Sequence, residues 1–156
     1  MEDAAPAWLT RLHQLGLGLP PVPRPVAAYV PAVVHGDLVY VSGQLPLQEG
    51  RLAHRGHLGA GLDVTSGREA ARLCALGALA AAAAAAPGPL EAVIRVEGFV
   101  QCTAEFHDQP QVINGASELF AALFPGGGHA RSAVGCAALP MDAAVELAVI
   151  FRCRCR

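Results

Sequence analysis

The chain contains no lysine: all 11 of its basic residues are arginine, set against 13 acidic residues for a net charge of −2. With no side-chain amine, Schiff-base catalysis, lysine-anchored pyridoxal phosphate and the lysine of a phosphate loop are excluded. No run of like charge is long enough to build a strong field, so nucleic acid is not an expected partner. Strongly apolar runs are missing too. The longest apolar tract, Ala78 to Ala86, is nearly pure alanine between Gly77 and Pro87, too weak for a membrane span of about 20 apolar residues. The opening MEDAAPAWLTRLHQL is acidic and lacks the basic and apolar regions of a signal peptide. A soluble, cytoplasmic protein without membrane contact is expected. The five cysteines, Cys74, Cys102, Cys136, Cys153 and Cys155, are odd in number and show no C-x-x-C spacing, so reduced thiols are expected. His54 and His57 have no third ligand at a suitable spacing and are expected to be solvated. The terminal C-x-C of Cys153 and Cys155, with arginines alternating around it, reads as a frayed strand end. Neither a metal nor a cofactor is expected.

What is present fits one domain. At 156 residues a single core buries roughly 68–70% of the surface that the unfolded chain exposes. Pro6 to Gly18 carry Trp8, Leu9, Leu12, Leu15 and Leu17 at partly helical spacing, and the proline-rich stretch from Pro20 to Pro25 ends that helix. Residues 1–25 are therefore expected to form an arm docked on its own domain, which spans 26–156. Tyr29 to Val34 and Leu38 to Ser42 predict a hairpin around His35-Gly36-Asp37. The second strand runs into Ser42-Gly43-Gln44, where bare glycine backbone permits close approach by a ligand. Gln48 to Leu62 has no periodicity and is expected to be a long loop.

Ser66-Gly67-Arg68-Glu69 fits a capping box opening a long alanine-rich helix that Pro87-Gly88-Pro89 stops. Val93 to Cys102 predicts a strand with Ile94, Val96, Val100 and Cys102 on one side and Arg95, Glu97, Phe99 and Gln101 on the other. Asp108 is placed to cap a second helix through Phe124, with an apolar stripe of Val112, Ala116, Leu119, Phe120 and Leu123. Asn114 lies outside that stripe. His107 and His129 flank this helix and are expected at the surface. The order of elements is β-β-α-β-α-β-β, which makes an α+β two-layer architecture with helices on one face of a mixed sheet. The opposite face carries apolar residues of the last strand, and self-association is expected to cover it.

Arg131 enters a small-residue apolar run, and Glu146 sits alone in the apolar run that follows the turn at Leu139-Pro140-Met141-Asp142. Buried ions cost several kcal/mol unless paired or put to use. Three arrangements are open: the two charges pair, they sit at strand ends in water, or they line a pocket. In the pocket Arg131 would grip a carboxylate and Glu146 would handle a proton or a water.

Tyr29-Val30-Pro31, Val41-Ser42-Gly43-Gln44-Leu45-Pro46, Val112-Ile113-Asn114, Arg131-Ser132-Ala133-Val134, Leu139-Pro140 and Val145-Glu146 together resemble the RidA family. That family is also known as YjgF, UK114 or L-PSP endoribonuclease. The likeness runs from about Val26 to Arg152. It implies a chorismate-mutase-like homotrimer with clefts between subunits. It also implies cofactor-independent hydrolysis of enamine and imine intermediates, 2-aminoacrylate and 2-imino acids, to 2-keto acids and ammonia. Carried over, Arg131 grips the carboxylate, Glu146 is the acid near the imine carbon, and Tyr29, Ser42, Gly43 and Asn114 form the pocket wall. Ala133 stands where many members have cysteine, and the arm and the 48–62 loop also depart from the archetype, which implies a divergent sub-group. A non-catalytic trimer that binds a small carboxylate such as a keto acid uses the same arginine without needing Glu146. Ribonuclease activity, after the older family name, fits poorly with a chain that is net negative and lacks lysine.

Overall fold

Every apolar residue of the last strand that alternates inward needs a cover, and two helices supply it on one side of a single sheet. The computed structural model describes residues 5–22, 24–25 and 28–155. Its elements in chain order are α1 (Ala7–Gln14), β1 (Ala32–His35), β2 (Leu38–Gln44), β3 (Leu47–Gln48), β4 (Arg51–Leu52), β5 (His57–Leu58), β6 (Gly61–Leu62), α2 (Val64–Ala85), β7 (Leu90–Gln101), α3 (Gln109–Leu123), β8 (Ala130–Cys136) and β9 (Val145–Cys153). The main sheet has the order β1-β2-β9-β7-β8. Within this sheet only β7 and β8 pair in parallel, and α3 is the crossover between them. This is the two-layer α+β arrangement with both long helices on one sheet face.

Val145, Leu147, Val149, Phe151 and Cys153 of β9 are buried against the helices. Phe120 of α3 meets Phe151 edge to face at 5.7 Å, and Phe124 tilts against the same ring at 6.3 Å. The alanines of α2 keep it close to the sheet: Ala70, Ala71, Ala75, Ala78 and Ala82 are fully buried. The arm docks as its apolar spacing implied. Trp8 stacks on Phe124 at 6.2 Å, Leu12 is fully buried, and Arg11 donates to the Leu123 carbonyl at 2.9 Å, satisfying one of the carbonyls that the end of α3 leaves open.

Local details differ from the sequence-based expectation in six places. The hairpin turn is tighter, with His35 paired to Leu38 and Gly36 at φ 61°, and β1 starts at Ala32 rather than at Tyr29. The stretch 48–62 is not a bare loop: β3 pairs with β4 and β5 pairs with β6. Helix α2 is capped by Asp63, three residues before Ser66, whose N–H donates to the Asp63 carboxylate at 2.8 Å; that bond holds the carboxylate pKa below its usual range. Asp108 stands at the N-terminus of α3 but makes no side-chain cap bond. In β7 the register slips between Val93 and Arg95, so Ile94 turns outward while Val93 takes the buried place. Cys153 is buried within β9, so the strand end is ordered through that residue. All five cysteines are free thiols. Among the described residues no helix is long and apolar enough to cross a membrane.

The sheet face away from the helices carries Val33, Tyr40, Ile150 and Arg95 in one row across four strands, and Glu146, Phe99 and Val134 in another. Val33, Tyr40 and Val134 are exposed. Arg95 is tied down there, bonding Glu97 at 3.1 Å and the Ser132 hydroxyl at 3.0 Å.

Candidate functional site

Arg131 lies on β8 opposite Val96, which is fully buried on the helix side, so its side chain points to the same side as α3. Its Nη1 donates to Asn114 Oδ1 at 2.8 Å and to Ser117 Oγ at 3.2 Å. Both acceptors are neutral. Asn114 and Ser117 are three residues apart, one turn of α3, and so share a face. Ser117 Oγ is also hydrogen-bonded to His129 Nε2 at 2.9 Å, and His129 packs edge-on against Phe120 at 6.2 Å. Burial, reinforced by the Arg131 charge, pushes the His129 pKa down, which disfavours the charged imidazolium. His129 is thus not the surface residue that its position suggested. Among the described residues no carboxylate neutralises Arg131, and its Nε and Nη2 donors have no protein acceptor. The guanidinium is braced on one corner and leaves an edge open for a planar anion.

Glu146 lies on the other side of the sheet. It pairs with Phe99 on the face that the helices do not cover, and burial raises its carboxyl pKa. No arginine or histidine among the described residues comes within ion-pair distance of it. The backbone of β2 bulges between Val41 and Gln44, which brings Gly43 against the carboxylate. A Cβ on Gly43 would overlap Glu146 Oε1, so the acid occupies space that only a bare backbone leaves. Tyr29 and Gly43 line a cavity of about 120 Å³ together with Pro31, Leu45, Leu47 and Met141. Ser42 is directed elsewhere: its hydroxyl donates to the Val30 carbonyl at 2.6 Å, holding the segment before β1 onto β2. Ala133 sits opposite Gly98 on the Arg131 side and packs on the core.

The expected site residues therefore form two half-sites, Arg131 with Asn114 and Glu146 with Gly43 and Tyr29, on opposite faces of one sheet. Arg131 and Glu146 do not pair with each other, and one copy of the chain does not bring them into a common pocket. The physical reason is register: β8 presents Arg131 in phase with the core residues of β7, whereas β9 presents Glu146 out of phase with its own.

Two residues missed from sequence are Ser117, detectable only by its three-residue spacing from Asn114, and Gln101. Gln101, expected on the strand face shared with Arg95 and Glu97 rather than with Val96 and Val100, is 1% exposed. Its Nε2 donates to Asp142 Oδ1 at 2.7 Å and to the Gly56 carbonyl at 2.9 Å, and its Oε1 accepts from the Leu139 N–H at 2.6 Å. One buried amide thereby pins the start of β5 to the turn at Pro140–Asp142, where Met141 and Asp142 have φ of 59° and 62°. The histidines of that stretch are held as well, His57 by the Ala137 carbonyl at 2.8 Å and His54 by Glu69 at 3.6 Å, rather than solvated. Replacing Gln101 with Leu strands three polar partners that water reaches only in part, a loss of about 2 kcal/mol. Thermal unfolding should then shift down by roughly 4–8 °C for a chain of this length. Among the described residues no group of three or more histidine, cysteine and carboxylate side chains is placed to hold a metal ion.

Comparison with known proteins places this geometry. The model of the family Endoribonuclease L-PSP matches residues 21–153. Protein TCP17 of Trypanosoma cruzi is 44% identical over 141 residues, covering 87% of this chain and 88% of that protein. The crystal structure of Atu1372 from Agrobacterium tumefaciens, a protein of unknown function, is 43% identical with a TM-score of 0.85 and covers 95% of this chain and 93% of that one. The crystal structure of TdcF from E. coli with bound serine is 26% identical with a TM-score of 0.61 and covers 86% and 94%. The match to Atu1372 leaves fewer residues unpaired than the arm contains, so part of the arm has a counterpart there. The chain belongs to the Endoribonuclease L-PSP family, the family of YjgF and RidA.

Proposed function

We propose that the chain hydrolyses 2-imino acids and their enamine tautomers, such as 2-aminoacrylate, to 2-keto acids and ammonia, in clefts formed between copies of a homotrimer. The observation that carries this reading is the Arg131 guanidinium, braced by the neutral oxygens of Asn114 and Ser117 with its Nε and Nη2 donors open. Two parallel charge-assisted bonds from it fix a substrate carboxylate and with it the adjacent imine carbon. The arm and residues 26–156 act here as a docked extension and one catalytic domain.

The two half-sites sit on opposite faces, so a complete pocket needs Arg131 of one copy to meet Glu146 of another. The exposed row of Val33 and Tyr40, on the same sheet face as Glu146, supports packing of such copies against this face. In that cleft the Glu146 carboxyl, its proton held more tightly by burial, protonates the imine nitrogen. The carboxylate so formed takes a proton from water as the water oxygen bonds to the imine carbon. Glu146 then gives the proton it took from water to the amino nitrogen of the resulting amino alcohol and receives the hydroxyl proton as the C–N bond breaks, so ammonia leaves, the 2-keto acid remains and the carboxyl group is restored. An imine once protonated is electrophilic enough that a positioned water and one acid/base group suffice.

A second reading, a non-catalytic trimer that holds a small carboxylate, is favoured by the serine bound to the TdcF relative. RNA cleavage, which the family's name suggests, has less support: the chain carries a net charge of −2 and has no lysine. The test is to mix the protein with an enzyme that releases 2-aminoacrylate and to time pyruvate and ammonia formation. Release faster than the spontaneous rate is expected. An unchanged rate together with tight pyruvate binding would establish the second reading instead.

A further inference from the structure

The cavity lined by Gly43, whose backbone the Glu146 carboxylate touches, has one more wall, and it comes from the arm. Arg24 and Pro25, at the end of the proline-rich tract, line it together with Tyr29, Gly43, Leu47 and Met141. Pro31, Leu45, Leu47 and Met141 make most of the remaining lining apolar, Tyr29 and Gln44 add neutral polar groups, and among the described residues Arg24 is the one cation on it. Among the described residues no carboxylate pairs with Arg24. Nor is its charge used on Glu146, whose raised pKa is set by burial.

From this placement we infer that the cavity receives the side chain of the substrate and that Arg24 selects side chains ending in a carboxylate. The preferred substrates are then 2-imino acids with a second acidic group. The inference rests on the imine-hydrolase reading for the position of the substrate, with its first carboxylate on Arg131 and its reacting carbon at Glu146. The volume, about 120 Å³, is well above the roughly 10–15 Å³ of such space that a single water needs. That is room for an aliphatic stem of roughly two or three carbons leading away from Glu146. Leu45, Leu47 and Pro31 suit the methylenes of such a stem, and the always-charged planar fork of arginine suits the carboxylate at its end. The reaction that supplies such substrates is the oxidation of an acidic amino acid at its α-carbon, which yields an imine of this class.

Stable keto acids test the site without depending on turnover. Titration calorimetry on the full chain should show 2-oxoglutarate binding about tenfold tighter than 2-oxopentanoate, which has the same length and the same first carboxylate but a methyl group in place of the second, as one charge-assisted bond at a partly exposed site provides. Arg24→Ala should erase that ratio, and Arg24→Glu should invert it. The residue is exposed, and an unchanged melting temperature would show that both variants fold. Equal affinity of the parent chain for the two acids overturns the assignment to Arg24 and leaves the Arg131 clamp standing. Binding of neither acid overturns both.

Discussion

Arg131→Ala should lower kcat/KM for 2-aminoacrylate by roughly 10²–10⁴-fold, because two charge-assisted hydrogen bonds of about 1.5–3 kcal/mol each are lost. The structure gives reason to expect the effect in activity rather than in stability. Asn114 and Ser117 are neutral acceptors in the middle of α3, half-buried, so removing the guanidinium leaves no ion unpaired. Pyruvate binding should be lost together with turnover. Arg131→Lys should recover little, since an ammonium on a flexible stem does not reproduce a fork braced at one corner. A variant as active as the parent would show that the carboxylate is held elsewhere.

Glu146→Gln should separate chemistry from binding. An acid/base group typically contributes 10²–10⁴-fold, so kcat should fall by about that factor while pyruvate affinity holds. The same variant has a stability signature of opposite sign. Burial raises the Glu146 pKa in the folded chain, so the stability linked to its proton is complete below the unfolded-state pKa and drains away as pH rises through the folded value. The amide does not titrate. Relative to the parent, Glu146→Gln should therefore unfold at a higher temperature once the pH has passed the usual carboxylate range, and the advantage should shrink in acid. Loss of activity with a gain in melting temperature cannot come from misfolding. A variant that keeps full turnover would remove Glu146 from the reaction and favour a binding role for the cleft.

Much of the fold was legible because alternation and helical spacing were strong where burial is deep. In β9 every second residue is buried, as Val145 to Cys153 announced, and the stripe of α3 is the predicted one with Ile113 added. The short strands β3 to β6 were not legible, since two-residue pairings leave no period to detect. Asp63 was overlooked as a cap because the pattern Ser66 to Glu69 satisfies the same rule three residues later, and side-chain chemistry alone does not rank the two. The candidate site was legible residue by residue and not as a geometry. Arg131 stands among small side chains, Ser132, Ala133 and Gly135, that give β8 no visible inner and outer face. Only pairing with β7 shows that the arginine and the glutamate look in opposite directions. Gln101 was misplaced for a related reason: alternation put it on the face shared with Arg95 and Glu97, while the segments that bury it, around Gly56 and Leu139, have no periodic signal of their own.

The division of Arg131 and Glu146 between the two surfaces of one sheet has a consequence for anyone measuring rates. Under the proposed reading a solitary copy is chemically incomplete. Specific activity should then be flat at high protein concentration and collapse on dilution past the dissociation point, with each chain still folded.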